Sequence, residues 1–285
     1  MGYSAQILSD VLKLDIGPRV IDVGSQDAHI ASASDLSAIN AAIHARRGEP
    51  LELTPPAKVE AREVFRRAGF DYWRCDVDRR PHTVYVDITT MAFPRELRAS
   101  FDYVGNVGTT EHLSNPGAGF ALIHYLCKPG GIMFHDVPLY GLGIHGLVNP
   151  TPKFWHAMIR TNDYRVLGFD VVPVLDHNYV GGHFNREWTY MRGIENFQHS
   201  AMARVTLRKG ADRAFVTPVD VMLDEPGLDL LGVLRGSLAP FIAAGTYTEE
   251  EAHLAAREAA ARMLVTPSIL DRARARLRFG RLGRG

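Results

Sequence analysis

The chain is predicted to fold as an α/β domain: a seven-stranded, mostly parallel sheet with helices on both faces, followed by a helical C-terminal extension. Three observations carry this expectation. Short apolar, β-branched runs alternate with stretches of helical periodicity between residues 19 and 174, and strand alternating with helix calls for parallel strands joined by crossovers. The strand-like runs end in polar residues, Asp22, Asp76, Asp87, Asn106 and His135, at the carboxyl ends where such sheets hold ligands. Beyond residue 222 the strand pattern gives way to two helical segments.

Each element follows in order. "RVIDVG" (19–24) is the first strand, and its closing Gly24 frees the backbone for a tight turn and a close ligand. Residues 25–56 read as a long insertion before "AKVEAREVFRRAG" (57–69), where Val59, Val64, Phe65 and Ala68 share a helical face and Gly69 stops the helix. "FDYWRCDVD" (70–78) and "TVYVDI" (83–88) are strands, "FPRELRAS" is a short helix, and "FDYVGNVG" (101–108) is the fourth strand. "GAGFALIHYLC" (117–127) reads as an amphipathic helix closed by a turn at "KPGG", and "IMFHDVP" (132–138) as the fifth strand. A helix over 152–163 and a strand over 164–174 come next, and residues 203–221 form one long strand or a hairpin turning at Lys209-Gly210. The last helical segment opens on Thr248 as cap, with acids in its first turn. The expected division is an α/β domain over 1–222, with insertions near 25–56 and 176–200, and an extension over 223–285.

Composition narrows the function. Lys plus Arg equals Asp plus Glu, at 32 each, so the chain as a whole is not built for nucleic acid or an acidic surface. The exception is the last fifteen residues, with six arginines against one Asp; they read as a solvated tail, the alternative being a tail that contacts a phosphorylated substrate or nucleic acid. Cys75 and Cys127 form no CxxC and lie in apolar patterns, as reduced core thiols of a cytoplasmic protein do. No run is long enough to span a bilayer and no signal-peptide pattern opens the chain.

"VIDVGS" together with "FDYVGNVGTTEHLSNPGAGFALIHYLCKPGGIMFHDVP" resembles the class I S-adenosylmethionine-dependent methyltransferases, in their small-molecule branch, over roughly residues 15–175. The resemblance implies a Rossmann-like sheet, S-adenosylmethionine as cofactor, and a small molecule or saccharide as acceptor, with a homo-oligomer as a further expectation. It also assigns positions. Asp22 would help hold the donor's methionine ammonium, and Gly24, Ser25 and Gln26 would approach its carboxylate and ribose. Asp76, beside Val77, would bind both ribose hydroxyls, because one carboxylate accepts two O–H donors. Asp87 and Ile88 would meet the adenine, and Asn106 and Val107 would pass beneath the donor. The first loop departs from the family in having Gln26 and Ala28 where glycines are common. A methyl donor carries no pyrophosphate, so that loop need not cradle phosphate.

Methyl transfer to a hydroxyl requires alignment and a destination for the acceptor's proton. Relatives with "EH" after the fourth strand place both residues beside the acceptor, which favours His112 as base with Glu111 beside it; His135 is the nearest rival. Asp136, His145, Asn149 and Trp155 are expected on the acceptor side. No metal is expected: His112, His135 and His145 lack the i, i+4 spacing of helical zinc sites, and no cysteine pair assists. An N-methyltransferase and a catalytically inactive methyltransferase-like binding protein are the alternatives. The absence of G-x-G-x-x-G after the first strand disfavours a dinucleotide oxidoreductase.

Overall fold

The computed structural model describes residues 2–78, 80–141, 145–174, 200–219 and 229–264. The elements are β1 (Gly2–Ser4), α1 (Ala5–Leu12), β2 (Arg19–Val23), β3 (Asp27–Ile30), α2 (Ala33–Ala45), β4 (Ala57–Glu60), α3 (Ala61–Arg67), β5 (Asp71–Asp76) and β6 (Thr83–Tyr85). They continue with β7 (Phe101–Val107), α4 (Pro116–Leu126), β8 (Cys127–Tyr140), α5 (Pro152–Thr161), β9 (Arg165–Val174), β10 (Ser200–Arg208), α6 (Leu230–Ala243) and α7 (Glu249–Leu264).

The main sheet has seven strands in the order β6-β5-β2-β7-β8-β10-β9. Neighbours from β6 to β8 are parallel, and only β10 runs antiparallel to the strands beside it. The expected mostly parallel sheet is therefore present. Alternation along β2 shows how it is buried on both faces. Val20 packs with α1, α2 and α3, whereas Ile21 and Val23 pack with α4, α6 and α7 on the other side. Because α6 and α7 belong to that second cluster, the described part of the C-terminal extension shares the core of the sheet. The Arg-rich tail lies outside the described residues, as does nearly all of the expected insertion near 176–200.

Four local expectations are corrected. Residues 57–69 are not one helix: Ala57–Glu60 pair antiparallel with β3, and only from Ala61 does the chain turn helical. This strand completes a small three-stranded sheet, β1-β3-β4, in which only β3 comes from the supposed insertion. Helix α4 is not amphipathic, because Gly117 through Leu126 are all buried between the sheet and the C-terminal helices. The "KPGG" segment does not end in a free turn but is absorbed into β8, clamped by Gly130 N–H to Lys209 O (2.8 Å) and Lys209 N–H to Gly131 O (3.0 Å). Residues 209–219 form no second hairpin arm. The buried Lys209 ammonium donates to the carbonyls of His124 and Cys127 and to Asp212, which turns the chain inward so that Phe215 and Val216 enter the core. Thr248 does cap α7, in a reciprocal pair with Glu251.

Strand β2 has β5 on one side and β7 on the other. Connections leave in opposite directions there, which opens a crevice at the carboxyl ends of these strands.

Candidate active site

That crevice holds a cleft of about 330 Å³, within the range of cofactor sites. Its walls are Gly24, Ser25 and Gln26 after β2, Cys75, Asp76 and Val77 at the end of β5, Val86 to Thr89 after β6, and Gly108, Thr109, His112 and Leu113 after β7. Gly24 has φ +90°, and a Cβ at that position would collide with Thr109 Oγ1, so the turn admits glycine alone without strain. Thr109 Oγ1 in turn donates to Val23 O (2.7 Å) and accepts from Gln26 Nε2 (3.1 Å). Gln26 Oε1 is buried and has no hydrogen-bond partner. The glycine-poor loop is thus held by side chains where a glycine-rich one would rely on backbone alone.

Asp76 fixes the second wall. Its Oδ2 accepts from Ser25 N–H (2.8 Å) and its Oδ1 from Val77 N–H (2.7 Å), tying the β2 and β5 ends together while the carboxylate stays on the cleft. Asp87 lines the cleft too, but Oδ1 is engaged by Thr89 N–H (3.0 Å) and Thr89 Oγ1 (2.6 Å), as the cap of a short 3₁₀ turn over Ile88–Thr90. Ser25, Gln26, Val77 and Ile88 are brought to the same cleft.

Several predicted positions lie elsewhere. Asp22 is fully buried beneath the sheet, where Tyr3 Oη donates to Oδ1 (2.5 Å) and Tyr72 Oη to Oδ2 (2.8 Å). Burial pushes its carboxyl up to about 7 against the two hydrogen bonds. Its alternation with Ile21 and Val23 turns it from the cleft toward the α1 side. Asn106 is also buried, with Oδ1 accepting from Thr110 N–H (3.2 Å) and Nδ2 facing Thr110 Oγ1 and His135 Nδ1 (3.1 Å). His135 is the clearest correction. It lies among Phe120 and Trp155 rather than at a cleft mouth, and burial lowers its pKa to about 3, so it stays neutral within the core. Trp155 is fully buried in the same cluster and is a core residue, not an acceptor wall. Asn149 is half-buried and lines neither cleft described here.

A cluster unforeseen in the sequence forms where β7 gives way to α4. Glu111 and His112 lie in a 3₁₀ turn over Thr110–His112. The segment 145–148 folds back on it, with Leu147 and Val148 N–H donating to Glu111 O at 2.6 and 3.1 Å. This brings His145 Nε2 to 3.7 Å from Glu111 Oε1 and sets the His145 ring edge-on to His112, centroids 5.0 Å apart. His112 alone of the three lines the cleft. Its pKa is lowered by burial first and by His145, against the opposing pull of Glu111.

A second cleft of about 710 Å³ shares Ser25 and Gly108 with the first. Asp27, His29 and Lys58 of the small sheet line it, with Arg80, Val107, Asp136, Met202 and Arg204. Each of its cations is paired: Lys58 with Asp27 (2.9 Å) and Arg204 with Asp136 (3.1 Å) inside the cleft, and Arg80 with Asp78 (2.9 Å) beside it. Burial raises the Asp136 carboxyl, against Arg204. Asp136 was singled out in the sequence. Lys58, Arg80 and Arg204 were not, since a single cation in a loop or on a strand carries no pattern.

Comparison with known proteins settles the class. Residues 4–200 match the model of the family described as "Methyltransferase domain", and the chain belongs to that family, the S-adenosylmethionine-dependent methyltransferases. Solved structures of similar fold include the [4+2]-cyclase SpnF, at 16% identity over 72% of this chain and 80% of that one (TM-score 0.38). Another is the 1,6-didemethyltoxoflavin-N1-methyltransferase of Burkholderia thailandensis with bound S-adenosylhomocysteine, at 14% over 72% and 76% (TM-score 0.39). A sarcosine dimethylglycine methyltransferase, so described provisionally, from Galdieria sulphuraria is 12% identical over 71% and 82% (TM-score 0.42). No curated protein matches the chain significantly. Among the described residues no helix is long and apolar enough to cross a membrane.

Proposed function

We propose that the protein methylates a hydroxyl group of a small molecule or saccharide in the cytoplasm, with the donor in the smaller cleft and the acceptor entering from the larger. The observation that carries this reading is the shared wall: Ser25 and Gly108 border both clefts. The residues fit the donor, since Gly24 leaves room that a Cβ would fill and Gln26 Oε1 is a buried acceptor still without a partner. S-adenosylmethionine supplies an electrophilic methyl on a sulfonium. Asp76 would take the ribose hydroxyls, Val86, Ile88 and Asp87 the adenine side, and Gly24, Ser25 and Gln26 the amino-acid end. Asp22 would support the loop from beneath through Tyr3 and Tyr72.

The paired charges of the larger cleft suit a neutral, polyhydroxylated acceptor, because each carboxylate and cation keeps hydrogen-bonding capacity without demanding a counter-charge. His112 stands at the donor cleft with its pKa lowered, so in the metal-free protein its imidazole is the group that accepts the acceptor's proton. His112→Ala is expected to lower turnover roughly a hundredfold or more with donor affinity nearly intact. The assay is labelled-donor turnover on a panel of hydroxylated metabolites and sugars. Full activity in His112→Ala contradicts the role, and methylation confined to amines contradicts the acceptor class.

A further inference from the structure

We propose that Glu111, His112 and His145 bind a divalent first-row transition-metal ion. Glu111 is completely buried, and both of its carboxylate oxygens lack a hydrogen-bond partner. A buried carboxylate in that condition costs several kcal/mol unless a cation or donor meets it. Among the described residues, two imidazoles lie beside it. One ligand atom from each of the three residues lies within 4.8 Å of the others, and the Glu111–His145 pair is at 3.7 Å. Ligands about 2.0–2.1 Å from a shared ion stand about 3–3.5 Å apart, so small side-chain rotations close the site. The backbone holds that approach in place. Gly146, at φ +78°, packs so closely on Glu111 that a Cβ there would meet its side chain and its carbonyl, and Glu111 O receives the two N–H groups that follow.

The donor set selects the ion. Two imidazoles and one carboxylate suit Zn²⁺, Fe²⁺, Co²⁺ or Mn²⁺, whereas Mg²⁺ and Ca²⁺ prefer oxygen alone. Three protein ligands leave at least one position open, and His112 places it against the donor cleft. An acceptor hydroxyl in that position would lose its proton to water at a lowered pKa. Its oxygen would then form the bond to carbon as the carbon–sulfur bond of the donor breaks, and the donor would leave as a neutral thioether. In this form His112 is a ligand and no longer a base. The role in transfer rests on the proposed methylation; binding of the ion does not.

The test strips the full-length protein with chelator and titrates it with Co²⁺ alone, following visible d–d absorption. One Co²⁺ per chain, displaced by Zn²⁺ and not by Mg²⁺, is expected. Glu111→Gln and His145→Ala, checked for folding by circular dichroism, should weaken it at least tenfold, since even outer-shell changes at metal sites cost about 10–100-fold. Absence of d–d bands in the wild-type protein, equal displacement by Mg²⁺, or undiminished binding in both folded variants overturns the proposal. S-adenosylhomocysteine is titrated calorimetrically into the same stripped protein. Binding there without a Co²⁺ site defeats the metal alone, and a Co²⁺ site without nucleoside binding defeats the methyltransferase reading instead.

Discussion

Replacing Asp22 with Asn separates two roles that the sequence assigns to one residue. In the folded chain the Asp22 carboxyl is pushed up to about 7, from an ordinary value of 3.8. Between those values the unfolded chain gives up the proton while the folded chain retains it. Stability from this group is therefore fully present below about pH 4 and falls as pH rises, until the folded carboxyl ionises near pH 7. One pKa unit is about 1.36 kcal/mol, so the whole loss is roughly 4 kcal/mol. Asn is nearly isosteric, and its amide accepts from one tyrosine and donates to the oxygen of the other, but it does not titrate. Urea unfolding of both proteins at intervals from pH 4 to pH 8 measures the difference directly. Asp22→Asn should gain on the wild type by roughly 4 kcal/mol across that window, other titrating groups cancelling in the comparison. Parallel stability curves would refute the reasoning. Neither Asp22 oxygen faces the donor cleft, so donor affinity should change little; a loss of tenfold or more would restore the direct contact with the donor's ammonium.

Two further outcomes follow from burial and hydrogen bonding. Asp76→Ala removes a carboxylate that both lines the cleft and holds Ser25 and Val77 N–H; S-adenosylhomocysteine affinity should fall by about 1–3 kcal/mol in calorimetry, and an unchanged Kd would contradict the assignment. Trp155→Ala empties a fully buried site between Phe120 and His135, so chemical denaturation should show about 3–5 kcal/mol of lost stability with the acceptor preference of the folded enzyme retained. A changed acceptor preference would return Trp155 to the substrate wall.

What was legible in the sequence was local. Asp76 and Asp87 end apolar runs, and Thr109 and His112 follow a strand closely, so chain order alone carries them to the crevice. Asp22 and His135 also sit near strand ends, yet their side chains follow the two-residue alternation to a buried side. Which face of a central strand is filled depends on helices far away in sequence: Tyr3, nineteen residues before Asp22, comes from a three-residue strand that leaves no periodic signal. The β1-β3-β4 sheet escaped for the same reason, because strands of three or four residues are too short to show a period and resemble loop or helix equally well. The Glu111–His112–His145 cluster was hidden by distance along the chain. Spacing rules find ligands on one helix, whereas here a glycine turn at 146 folds a second segment onto the first.

The central claim is that the crevice beside Gly24 and Asp76 is an S-adenosylmethionine site and not a dinucleotide site. It is tested most directly by calorimetric titration of S-adenosylhomocysteine and of NAD into the wild-type protein. One site with a micromolar-range Kd for S-adenosylhomocysteine, and no heat of binding for NAD, is the predicted result. Saturable NAD binding with no response to S-adenosylhomocysteine would contradict it.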